Sequence, residues 1–204
     1  MVEQEKEQAI EDVKMIRKVL EKANAYNSTN YPYYIMWGML FILASAIQQN
    51  AYFAGATLDW IYPVIWIAFL LLGFTGSFFL AGKIEKNIPR QVSVYIGKTT
   101  GLLWGTGGLA IALVVQLSLF WGVYSAQYIL VFITLIIGLT LVSFGVLLHK
   151  PAAYLGFLCF PVSVIMIYYP IWQPLILGML IGGGYFVIGT LDLVKSRRKL
   201  HGRL

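Results

Sequence analysis

The chain has 204 residues, 59% of them hydrophobic and 12% charged, with a mean hydropathy of +0.74. That balance excludes an ordinary water-soluble domain and leaves the bilayer as the solvent. The formal net charge of +6 does not point to nucleic acid, because the bases sit beside apolar runs instead of on a polar face with aromatic platforms.

In chain order, residues 1–32 read as a cytoplasmic amphipathic helix and a hinge. Val2, Ala9, Val13, Ile16, Leu20 and Ala23 recur at helical spacing, with acids in the first half and bases in the second, as the helix macrodipole favours. Ala9, Val13, Ile16 and Leu20 form a candidate docking stripe for a cytoplasmic protein partner or a second copy. A helix lying on anionic lipid and a solvated lead-in are the competing readings; the narrow stripe and mixed opposite face weaken the lipid reading. Apolar runs follow at about residues 33–52, 58–81, 99–120, 126–148, 151–169 and 174–194, each near the roughly 20 residues that one crossing needs. Residues 195–204 close the chain as a basic tail. The expected fold is therefore all-α: a polytopic membrane protein whose transmembrane domain, residues 33–194, has six helices arranged as three hairpins.

All 15 Lys and Arg residues precede the first run, separate the second from the third, follow the fourth or follow the sixth. The positive-inside rule then puts both termini in the cytoplasm. Tyr52, Trp60, Tyr62, Trp121, Tyr124, Tyr168, Tyr169 and Trp172 mark the outer headgroup level, and Tyr31, Tyr33, Tyr34 and Tyr95 the inner one.

The stretch Tyr33-Tyr34-Ile35-Met36-Trp37-Gly38, entered from a charged helix and a Tyr/Pro hinge, resembles small uncharacterised prokaryotic multi-span membrane proteins. The resemblance covers the N-terminal segment and the first span. It implies a multi-pass protein of the prokaryotic plasma membrane with no assigned reaction, and it carries over no site residues.

Two glycine pairs, Gly101/Gly105 in the third run and Gly178/Gly182 in the sixth, have the small-xxx-small spacing that lets two helix backbones touch, within a monomer or across a homo-oligomer. Their competing reading is a bent helix beside a solute cavity. Gln116 is the candidate intramembrane polar contact. His149 and His201 have no carboxylate or cysteine at ligand spacing, Asp192 is one turn from Lys195, and Gly97-Lys98-Thr99 lacks the upstream glycine of a phosphate loop. No catalytic constellation, metal or cofactor is expected. The expected function is that of a non-enzymatic membrane scaffold, sensor or regulator acting through the N-terminal helix, with a small transporter or channel for a neutral or hydrophobic solute as the alternative.

Overall fold

In a computed structural model, residue 8 and residues 31–55, 61–84, 90–123 and 125–201 are described. The described residues are helical apart from short turns, with no strand among them. The helices are α1 (Tyr31–Phe53), α2 (Ile61–Ile84), α3 (Arg90–Leu119), α4 (Ile129–Leu147), α5 (Lys150–Tyr168), α6 (Gln173–Leu177) and α7 (Gly184–His201). A π-helical segment, Gly178–Gly183, joins α6 to α7, so Pro170–Arg198 forms one long apolar unit, called the last helix below. Among the described residues five units are long and apolar enough to cross a membrane: α2, α3, α4, α5 and the last helix.

Helix ends and apolar ends differ at two places. The third apolar run starts at residue 99, yet α3 starts at Arg90, and α7 continues through Lys195 to His201 in the stretch read as a tail. Hydropathy reports the thickness of hydrocarbon, whereas a helix ends where its hydrogen bonds lose their partners, and polar helix formers continue it into water.

Helix pairing follows the small residues. α4 and α5 make the most intimate contact, joined by the short turn at Leu148-His149. A Cβ on Gly145 would collide with the backbone of Ala153, and one on Gly156 would lie 2.6 Å from Val142 N and 2.7 Å from Gly138 O. In lipid, backbone approach of this kind replaces the hydrophobic drive. α5 therefore pairs with α4 more closely than with the last helix, unlike the third hairpin expected from chain order.

The last helix instead runs antiparallel along α1. Ile35 meets Gly189, Gly38 meets Gly182 and Phe186, Ser45 meets Gly178, and Phe53 meets Trp172. α2 packs on the outside of α1, where Trp37 lies over Gly73, Phe41 meets Phe69 edge-on, and the indole N–H groups of Trp37 and Trp66 donate to Ser77 Oγ (3.1 Å) and Gln48 Oε1 (2.8 Å). α3 packs on α4, with Gly107 against Thr140. The buried core lies among α1, α4, α5 and the last helix, with Leu141, Met166, Leu177 and Ile181 fully enclosed.

Candidate functional site

The end of the bundle that carries Lys150, Lys195, Arg197 and Arg198 also holds a buried pair of ionisable side chains. His149 occupies the α4–α5 turn, fixed by Leu148 N–H donating to Phe144 O (2.8 Å) and Ala152 N–H donating to His149 O (2.9 Å). With an extended backbone (φ −149°, ψ 89°) immediately before α5, the residue sends its ring into the bundle instead of along either helix. Nε2 comes to 3.0 Å from Asp192 Oδ2 of α7, and the two side chains are only 8% and 6% exposed. The ring stacks on Tyr34 of α1 (centroids 5.1 Å apart, planes at 25°), and Tyr34 in turn rests against Tyr185 of α7. Three parts of the chain converge here: the start of α1, the α4–α5 turn and the C-terminal half of the last helix.

The electrostatics are unequal. Asp192 Oδ1 faces Lys195 Nζ at 3.9 Å, but that lysine is 62% exposed, so solvent screens most of its attraction. Asp192 Oδ2 is buried and lacks a well-directed hydrogen bond despite the close imidazole, and His149 Nδ1 is buried with no partner. Among the described residues no third His, Cys, Asp or Glu joins the two into a metal-binding group.

A second polar feature lies toward the opposite end of the bundle, where α1 faces the last helix. Gln49 Nε2 donates to Ile171 O (3.0 Å) and Gln173 Nε2 to Met166 O (3.0 Å). Ser45 Oγ and Gln49 Oε1 are buried without hydrogen-bond partners, and Ser45 abuts Gly178 at the start of the π-helical segment. Single π turns inside α-helices occur frequently at functional sites.

The structure distributes the sequence candidates as follows. Ala9, Val13, Ile16 and Leu20 lie outside the described residues. Gly178 and Gly182 sit against α1, a Cβ on Gly182 falling 2.8 Å from Gly38 O and 2.9 Å from Ile42 N. Gly101 and Gly105 are exposed on α3, where an added Cβ would meet nothing within 4 Å. Gln116 is also exposed, and the interior amide contacts fall to Gln49 and Gln173. Sequence spacing could not pair His149 with Asp192, because the contact is tertiary.

No protein-family model, curated protein or solved structure matches this chain.

Proposed function

We propose that the protein is a six-span membrane protein of the prokaryotic plasma membrane with both termini in the cytoplasm, and that it works as a non-enzymatic sensor or regulator through its N-terminal segment. The observation that carries this reading is the Tyr34–His149–Asp192 cluster. It joins the first turn of α1, directly after residues 1–30, to the two elements that close the basic end of the bundle. A force or ligand acting on the N-terminal segment reaches the buried His149–Asp192 contact within one helical turn.

As the sixth span, α1 has 23 residues, about 35 Å at 1.5 Å per residue, and no charged side chain. Of its polar groups, Ser45 and Gln49 are buried, Gln48 is bonded to Trp66 and the exposed Asn50 donates to Ala46 O of its own helix, whereas Met39, Leu43 and Ile47 form an exposed apolar stripe suited to lipid. To test the regulator reading, the full-length protein and the Val13→Asp/Leu20→Asp variant are extracted in mild detergent and their co-purifying soluble proteins compared. A stoichiometric partner lost from the variant supports docking through the stripe; identical partner sets refute it.

The π-helical segment beside Ser45, with Ser45 Oγ and Gln49 Oε1 buried and unpartnered on the same face of α1, favours a second reading, a carrier for a small neutral solute that donates hydrogen bonds. Under that reading Gln49→Leu leaves the protein folded and abolishes retention of a small molecule through purification. If no small molecule is retained by the parent under conditions that keep lipid bound, the carrier reading fails.

A further inference from the structure

Asp192 is a carboxylate held inside the bundle by one buried and one exposed partner. Among the described residues, the charged and titratable groups around the His149 ring are Asp192 and Lys195 of α7, Tyr34 of α1 with Tyr185 behind it, and the exposed Lys150 that begins α5. Among the described residues only His149 is both close to Asp192 Oδ2 and shielded from water, so a charge on it acts through low dielectric while the lysines act through solvent.

We propose that His149 and Asp192 form a proton-operated clamp: with the imidazole protonated it ties the α4–α5 turn, and the first turn of α1 stacked on it, to α7, and loss of that proton loosens all three. The sign follows from the geometry. Because Nε2 lies 3.0 Å from Oδ2 without good hydrogen-bond direction, a neutral imidazole gives that oxygen little, and a buried carboxylate oxygen without compensation is costly. A positively charged imidazole supplies the compensation irrespective of direction. Nδ1 has no partner in either state, as an orphan acceptor or an orphan donor, so it does not reverse the preference. The contact therefore holds while the imidazole carries its proton and weakens once that proton is lost. This deepens the regulator reading and rests on it only for what the clamp controls, since α1 continues directly from residues 1–30.

The test is hydrogen exchange of the full-length protein in lipid nanodiscs, corrected for the intrinsic pH dependence of amide exchange. Protection of residues 147–153 and 189–196 should fall by about tenfold or more between roughly pH 5.5 and roughly pH 8, as expected when a buried charge loses its partner. In His149→Gln the corrected profile should be flat. Should that variant not fold, Asp192→Asn carries the same test, because an uncharged amide has no preference for imidazolium. Lys195→Gln should keep the parent's pH dependence. A flat profile in the parent, a surviving profile in His149→Gln or Asp192→Asn, or a profile abolished by Lys195→Gln overturns the clamp. Partner capture through the N-terminal segment is read separately: a flat parent profile with intact capture rejects the clamp and leaves the regulator, whereas the expected profiles without capture keep the clamp and reject the regulator.

Discussion

Gly145 and Gly105 are the same residue type in neighbouring helices, yet their surroundings differ completely. At Gly145 an added methyl meets the backbone of Ala153, which cannot swing aside as a side chain can; at Gly105 it meets open space. Gly145→Ala should lower the stability of the detergent-solubilised protein by about 1–3 kcal/mol, the usual cost of forcing extra volume into a filled contact. Gly105→Ala should be neutral or stabilising by up to about 1 kcal/mol, through lower backbone entropy. Thermal melting of both variants checks the pair, and equal melting temperatures would mean that α4 and α5 do not approach as described. The glycines are visible in the sequence, but which ones touch is not. In lipid the outer face of a helix is as apolar as the inner, so periodicity does not point inward as it does in water. Gln116 and Gln49 make the same point: both interrupt apolar runs, but Gln49 is buried against Ile171 whereas Gln116 is exposed on α3.

The seam between α1 and the last helix shows what a helix pair adds to its residues. Tyr34, Gly38, Phe41, Ser45 and Gln49 share one buried face of α1, and Gly178, Gly182 and Gly189 oppose it. The Gly178/Gly182 spacing is legible from sequence, but its partner is not: Gly38 stands alone as a glycine in α1, and serine completes the small surface at position 45. The His149–Asp192 contact escapes for a related reason, since helical spacing pairs Asp192 only with Lys195 on its own helix. Gly182→Leu places a branched side chain against the Gly38 carbonyl and the Ile42 amide, and neither can retreat without parting the helices. The variant should lose several degrees in melting temperature and expose the seam to faster hydrogen exchange, whereas Gly101→Leu, on an open face, should leave both unchanged. Equal loss in the two variants would indicate that α3 buries its glycines against another surface and that the seam is not the critical contact.

For the whole molecule, the deciding question is whether α1 crosses the membrane. The other five units announce themselves by hydropathy, whereas α1 carries Gln48, Gln49 and Asn50 and several tyrosines, which lower its apolarity. Helices selected by average hydropathy are those whose outside resembles lipid on all faces. A span packed on two sides, as α1 is by α2 and the last helix, can turn polar groups inward, where Gln48 bonds Trp66 and the Gln49 amide nitrogen bonds Ile171 O. Reading α1 as a span makes the number of crossings even and puts Gln8, Lys150 and Ser196 on one side and Ala54 and Ser125 on the other. With the buried Cys159 replaced by alanine, single cysteines at positions 8, 150 and 196 should stay protected from a membrane-impermeant thiol reagent in intact cells. Cysteines at 54 and 125, both exposed positions, should react. The positions on either side of α1 carry the decision: if 8 and 54 behave alike while 54 and 125 still react, α1 lies within one leaflet or stacks against the bundle without crossing. The N-terminal segment would then face away from the bases of the last helix, and a cytoplasmic regulator with both ends on one side would be ruled out.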